Sequence, residues 1–481
     1  MTASLLKMNE NVIIVGGGIS GLTAGIYAQR SGFRTLILEK CATPGGVSTC
    51  WKRGGYLFEG GVHWLNGSGK DLDLHKVWEE VGALQENNPV YFKDPVYVFK
   101  NGGTELAIWR DAKRTLEELS AYSPRDRKVL RSIFRDVKMF RYFQSPVDGI
   151  TGIWDYIRMF PAICITPRLW LQSTRYYLSR IKNDDVRTLL EAVVAPVNNA
   201  MTFAYTLSGF FTGDSGYPTG GSLRMALNMA DTFRKAGGEI RYNTVVEKVA
   251  DNGVIVNGEL LKSDAVIVTV DARTAIDKLF DKPIQTAWAK RMRKLLVTCQ
   301  TVFVGLGVEA DLKKYPKSMV FKVPFKDGGV DLPFFVVSNY ARDNYAPEGC
   351  TAVTALLPGY TYGWWKAAKA DGTYDAKKKA VAEHFIHILG DMVPESRGKI
   401  AVTDVATPVT YERYCNTFEG SYMSDWLPAT FTTNAPNRVR KGLYFAGQRT
   451  AYSGGLPPAV ISGRLAVRAL CKDFGHKFKN L

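Results

Sequence analysis

Gly16, Gly18 and Gly21 fall at the spacing G-x-G-x-x-G, and a carboxylate, Glu39, closes the apolar run that follows. Residues of these types at this spacing are suited to holding a dinucleotide. The first glycine permits a tight turn, the second lets the backbone approach a pyrophosphate, the third lets a helix pack closely on a strand, and the acid accepts from a ribose hydroxyl. A helix starting here presents unpaired N–H groups to the phosphates. The expected contacts are Gly16, Gly18, Ile19, Ser20, Gly21, Glu39 and Lys40. An acid at position 39 disfavours a 2′-phosphate, which leaves FAD or NAD.

Such a cradle needs strand, turn, helix and second strand in that order. Val12 to Val15 is an apolar run of the kind a buried parallel strand requires, the residues after the glycines have helical spacing, and Thr35 to Leu38 supplies the second strand. Asn11 to Gln29 carries no charge, but its glycines and the acid beyond them fit a nucleotide turn better than a membrane span.

A chain of 481 residues exceeds one ordinary core and predicts two domains. Lysine and arginine number 62 against 46 acids, and the net charge of +16 favours anionic surfaces. With no long basic run or nucleic-acid motif, the charge suits peripheral contact with an anionic membrane, or simply a soluble basic enzyme, and contact with nucleic acid is not expected. The seven cysteines are odd in number, scattered and never in C-x-x-C spacing, which points to reduced thiols and a cytoplasmic protein. Five dispersed histidines suggest no metal site. No signal peptide or transmembrane helix is expected.

Between the glycine-rich ends the pattern changes. Leu116 to Phe143 mixes charged and apolar residues at helical spacing and predicts one or two surface helices. Ile150 to Ile181 is rich in aromatic and basic residues, among them Trp154, Tyr156, Phe160, Trp170 and Tyr176. It could lie in a bilayer interface and admit an apolar substrate, or form a helical core. The uncharged run between Glu191 and Asp214 is broken by Pro196, Asn198 and Asn199, so it suits a cavity wall better than a span. Strand-like runs follow at 253–256, 265–270, 301–308, 333–337 and 352–357.

Several further motifs occur in a telling order: Gly45-Gly46; Phe58-Glu59-Gly60-Gly61-Val62-His63; Gly216 to Leu223 with the helix and strand after it; Gly442 to Thr450; and Ser453 to Val460. This order resembles the two-domain FAD flavoproteins of the amine-oxidase superfamily, in particular the phytoene-desaturase, carotenoid-isomerase and retinol-saturase group. The resemblance implies an α/β fold, with a Rossmann-type FAD-binding domain and a discontinuous α+β substrate domain. The expected division is 10–75, 216–287 and 404–481 for FAD, and 76–215 and 288–403 for substrate.

It further implies FAD contacts at Gly45, Gly46, Gly61, Val62, His63, Val246, Gly447, Gln448, Gly455, Leu456, Pro457 and Val460. Val246 would hold the adenine through its backbone, and amides at the last helix start would face the flavin. Cys415 and Cys471 fall outside the C-terminal turn, so noncovalent FAD is expected. The chain departs from the group at Gln448, Arg449, Ala451, Tyr452, Ser453 and Pro458, which leaves room for a substrate other than the group's long carotenes.

The implied activity is oxidoreduction at carbon–carbon bonds of an apolar polyene, isoprenoid or unsaturated lipid, by a desaturase, saturase or cis-trans isomerase. Flavin amine oxidation and a non-catalytic flavoprotein are the alternatives. A flavin performs the electron or hydride chemistry itself, so catalytic side chains need not be numerous. Three candidates stand out: His63 as a proton shuttle, Arg449 as a holder of negative charge, and Tyr422 as a cavity residue.

Overall fold

The computed structural model describes residues 10–144, 146–148, 153–425, 427–429, 434–450 and 454–480. Ile150, Ala451, Tyr452 and Ser453, named above, lie outside these residues.

The N-terminal strand β1, Asn11–Val15, feeds helix α1, Ile19–Arg30, which returns the chain to β2, Arg34–Leu38. These belong to a six-stranded sheet. Val12 to Val15 pairs in parallel with Ala265–Val268 on one side and with β2 on the other, so β1 is central and buried. Glu239–Arg241 extends the sheet beyond β2, while Leu443–Phe445 and then the antiparallel Arg438–Arg440 extend it beyond Ala265–Val268.

Alternation of side chains decides the two faces. Ile14 packs into a core with Leu22 and Ile26 of α1, Met229 and Phe233 of helix Gly221–Lys235, and Ile461 and Val467 of helix Leu456–Phe474. Ile13 and Val15 point the other way, into a core with Val254, Ile276 and Met292. Both faces are covered, which explains the uninterrupted apolar run.

The second sheet is seven-stranded, in the order 400–406, 301–308, 351–358, 335–339, 318–321, 97–101 and 104–108. Its neighbours are antiparallel except Ser318–Phe321 against Tyr97–Asn101. Strand Ile400–Ala406 runs across the boundary expected between 403 and 404, because Phe303 pairs with Ala406 and Val308 with Ile400. That end of the strand is held by the antiparallel ladder.

Leu116 to Phe143 falls into two helices, Ala112–Tyr122 and Arg127–Met139, separated at Ser123-Pro124. The aromatic stretch beyond them forms Ile153–Trp170 and the short Thr174–Leu178. Helix Ile153–Trp170 buries Met159, Ala162 and Leu169, yet Ile153 and Trp154 are each 71% exposed and Phe160 64%. The uncharged run supplies helix Ala200–Phe211. No helix among the described residues is long and apolar enough to cross a membrane.

Candidate active site

Both glycine-rich ends of the chain meet at one cavity of about 2430 Å³. Gly16 stands at φ +106°, a left-handed conformation that a side chain would strain. A Cβ on Gly21 would lie 2.0 Å from the carbonyl oxygen of Gly16, so this glycine is needed for helix-on-strand packing. At Gly18 a Cβ would approach only Gly45 O at 3.8 Å and Gly46 Cα at 4.0 Å, so a side chain there would fill the cavity. The space is shaped for a group that approaches bare backbone. Helix α1 has no acidic residue in its first turn and no side-chain cap on its N-terminus, so no carboxylate of its own competes for an incoming phosphate.

Glu39 is buried at the end of β2. Its Oε2 accepts from Gly17 N at 2.6 Å and its Oε1 from Cys41 N at 2.7 Å, fixing the carboxylate on the cavity wall. Gly45 donates its amide to Gly17 O at 2.9 Å and bridges Gly18, bringing the glycine pair against the cradle. Val246 also lines this arm, in the segment where Thr244 N donates to Glu39 O.

At the opposite end, Gly447 follows strand Leu443–Phe445 at φ +140° and donates its amide to Ser462 Oγ at 2.8 Å. Helix Leu456–Phe474 begins at the cavity wall with Gly455, Leu456 and Pro457. Pro457 and Pro458 have no N–H, so fewer amides face the cavity than a helix start ordinarily presents. Val460 does not line the cavity; it is fully buried in the core beneath, as Gly21 is buried in its packing role. The remaining residues expected at the cofactor all line the same space.

Beyond the cradle the cavity continues between the second sheet and the helical layer, where Trp64, Tyr97, Phe140, Phe143, Tyr205 and Phe335 form its wall. Drug-sized ligands occupy roughly 300–1,000 Å³. A space more than twice that size accommodates a dinucleotide and a second molecule.

Residues 19–471 match the model of the flavin containing amine oxidoreductase family. The chain belongs to this family. It is 23% identical over 519 residues to prolycopene isomerase, chloroplastic, of Daucus carota, covering 100% of this chain and 83% of that protein. It is 24% identical to all-trans-zeta-carotene desaturase of Myxococcus xanthus, covering 97% of this chain and 94% of the other. The solved structure of cyclohexylamine oxidase from Brevibacterium oxydans superposes with a TM-score of 0.64 at 15% identity, over 97% of this chain and 100% of that one. The protein is accordingly an FAD-dependent oxidoreductase of the Rossmann type, and the bare backbone at Gly18 beside the start of α1 fits the FAD pyrophosphate.

In this flavoprotein the segment Gly61 to His63 is held from behind by Glu59, which is fully buried. Glu59 Oε1 accepts from Gly61 N at 2.7 Å, Val62 N at 3.0 Å and Ser222 Oγ at 2.6 Å; Oε2 accepts from Ser222 N at 2.9 Å and Cys50 Sγ at 3.1 Å. A carboxylate at the start of helix Gly221–Lys235 also complements the helix dipole. From the front, Tyr422 OH donates to Gly61 O at 2.6 Å, and Tyr422 O accepts from Gln448 Nε2 at 3.2 Å. Burial raises the phenol's pKa further above its ordinary value, so Tyr422 positions this segment.

His63 lines the cavity, and its Nε2 is buried without a hydrogen-bond partner among the described residues. Burial, then the nearby ammonium groups of Lys93 and Lys317, lower its pKa to about 3. Near neutral pH the imidazole is accordingly held in its neutral form.

Arg449 also differs from expectation. It is 3% exposed, and its three guanidinium nitrogens donate to Asp271 Oδ2 at 2.9 Å, to Ser424 Oγ and to Ser421 Oγ at 2.6 Å. It ties the C-terminal turn to the residues following Ala265–Val268 instead of offering a free charge.

The residues that sequence reasoning missed are Lys93, Lys317 and Asp343. Lys93 lines the cavity, while Lys317 pairs with the buried Asp343 and lies 3.6 Å from the ring centroid of Tyr340. Lysines at 93 and 317 carry no local motif, and only the parallel pairing of Ser318–Phe321 with Tyr97–Asn101 brings them together.

Proposed function

We propose that this oxidoreductase acts on a carbon–carbon bond of an apolar polyene, isoprenoid or unsaturated lipid, with FAD held noncovalently. The carrying observation is the single cavity that joins a backbone-built cradle to an aromatic chamber. Bound FAD supplies acceptance and return of a hydride or electron pair. The chain's own residues do the rest. Amides of Gly18 to Ser20 would hold the pyrophosphate and Glu39 the ribose, while Glu59 and Tyr422 fix the backbone of Gly61 to His63 on the wall of the same cavity. Trp64, Tyr97, Phe143 and Phe335 exclude water and orient an extended apolar chain. The names of the carotenoid-acting relatives support this reading.

We assign the six-stranded sheet to a cofactor part and the seven-stranded sheet, with the whole of 400–406, to a substrate part; the separation of the two sheets supports this division. The seven cysteines, all free, suit a reducing cytoplasm. The exposed face of helix Ile153–Trp170, with Trp154, Tyr156, Ile157 and Phe160, is the surface we assign to peripheral membrane contact.

The function is tested by mixing the yellow holoprotein anaerobically with lycopene precursors, retinoids and unsaturated fatty acids, and following flavin bleaching and product spectra. Turnover of one of these classes is expected; turnover of primary amines alone would replace this reading with amine oxidation. For the membrane face, co-sedimentation with anionic phosphatidylserine vesicles should weaken in a Trp154→Ser/Phe160→Ser variant, and unchanged sedimentation would remove the assignment.

A further inference from the structure

Lys93 is 8% exposed and stands on the cavity wall beside the aromatic residues. Its Nζ donates to Ser318 Oγ at 3.1 Å and to the carbonyl oxygen of His63 at 3.3 Å, and lies 5.4 Å from the centroid of Tyr97. Among the described residues it makes no ion pair. The nearby carboxylate, Asp343, is committed to Lys317 and accepts from Tyr91 OH at 2.7 Å. A buried ammonium without an anion is costly, and an ammonium has three donors of which two are engaged. Ser338 lines the cavity on the strand next to Ser318, and His63 brings its unpartnered Nε2 to the same wall. A polar pole is thus built into an aromatic chamber.

Resting on the apolar-substrate reading above, we infer that the chamber takes a long unsaturated chain ending in a carboxylate, and that Lys93 binds this end. Ser318 and the His63 carbonyl orient the ammonium, leaving its remaining N–H for the ligand oxygen. The aromatic wall then holds the chain, and the carboxylate sets which carbon–carbon bond stands beside His63. A pure hydrocarbon would leave this N–H donor without an acceptor.

The test titrates cis-parinaric acid, a fluorescent conjugated fatty acid, and its methyl ester into flavin-loaded wild-type protein, Lys93→Met and Lys93→Arg, reading fluorescence gain. Wild type should bind the acid at least about tenfold more tightly than the ester. Lys93→Met should lose that preference while keeping ester affinity, and Lys93→Arg should retain most of it. Equal binding of acid and ester by wild type would overturn the assignment, as would loss of both ligands alike in Lys93→Met at normal flavin content. The wild-type acid-to-ester ratio decides the matter even where Lys93→Met fails to fold. Flavin absorbance of each preparation separates the two readings: a colourless protein that still prefers the acid contradicts the oxidoreductase function alone, and a yellow protein without preference contradicts the lysine's role alone.

Discussion

A lysine kept for a ligand should weaken the fold that holds it, and the structure sets the size of that effect. Burial, reinforced by the charge of Lys317 and opposed by Asp343, lowers the pKa of Lys93 from its ordinary 10.5 to about 7. Between these values the unfolded chain binds a proton that the folded chain does not, so this group makes stability rise with pH across that window. At pH 6 both states are protonated, and the charging cost is fully present at about 5 kcal/mol, from ~1.4 kcal/mol per pH unit. At pH 10 the folded amine is neutral, and about 1 kcal/mol remains.

Lys93→Met removes that cost. It also removes the hydrogen bonds to Ser318 and His63, a loss of about 1–3 kcal/mol that depends little on pH. For a chain this long the unfolding entropy is on the order of 1 kcal/mol/K, so the gain in Tm from the substitution should be about 4 °C larger at pH 6 than at pH 10. Other groups facing Lys93 moderate this contrast. Lys317, whose own pKa burial lowers to about 8, titrates within the same window, whereas His63, held down to about 3, does not. The assay is thermal unfolding of delipidated, flavin-loaded wild type and variant across this pH range. A Tm difference that does not change with pH would refute the claim that Lys93 is a depressed, functional amine.

The glycines of the cradle should separate by role: Gly18→Val should leave the melting of flavin-free protein within about 1 °C while lowering bound flavin more than about tenfold, whereas Gly21→Val, with its Cβ 2.0 Å from Gly16 O, should destabilise the flavin-free protein itself. Normal flavin content in Gly18→Val would remove the turn's assignment. Tyr422→Phe leaves Gly61 O without its 2.6 Å donor and should cost about 1–2 kcal/mol, with weaker flavin retention but surviving turnover; complete loss of turnover at full flavin occupancy would make the hydroxyl catalytic. Arg449→Met removes the cation from Oδ2 of Asp271, whose side chain is 2% exposed, while Oδ1 still accepts from Arg273 N and Thr274 N; the change should cost about 1–3 kcal/mol, with Asp271→Asn in the same chain restoring part of it, and additive losses in the double variant would show that the two side chains do not act as a pair.

The cofactor end was legible because its constraints are local. A turn with positive φ, a helix seated on a strand and an acid at the next strand end each leave a mark at fixed spacing, and Gly16, Gly21 and Glu39 occupy the places that spacing implied. Where the reading slipped, a distant partner decided the outcome. Val460 fits the helical pattern of a motif but turns into the core shared with α1, and Arg449 looked like a free cation until Asp271, more than a hundred residues away, took it. The boundary expected between 403 and 404 cuts through strand 400–406, because its ladder with 301–308 is visible only after folding. The prolines that make Gly455 to Ala459 resemble a helix start also remove two of the amides for which such a start is valued.

This asymmetry has a physical consequence for how such a protein changes. The cradle is made of backbone, so its residues are limited by conformation and close approach, and relatives at 23–24% identity can share it. The chamber is made of side chains on Tyr97–Asn101, Ser318–Phe321, Phe335–Asn339 and Ala200–Phe211, where any residue of suitable volume maintains the fold. Substrate preference can therefore shift without touching flavin binding, except where the two parts share a residue. His63 is such a place: its amide side follows the Glu59-anchored segment, while its carbonyl receives Lys93. A substitution at 93 that moved this carbonyl would disturb both ends at once, which is why Lys93→Arg, keeping the donor, should preserve flavin content and acid preference together, and Lys93→Met should lose the second without the first.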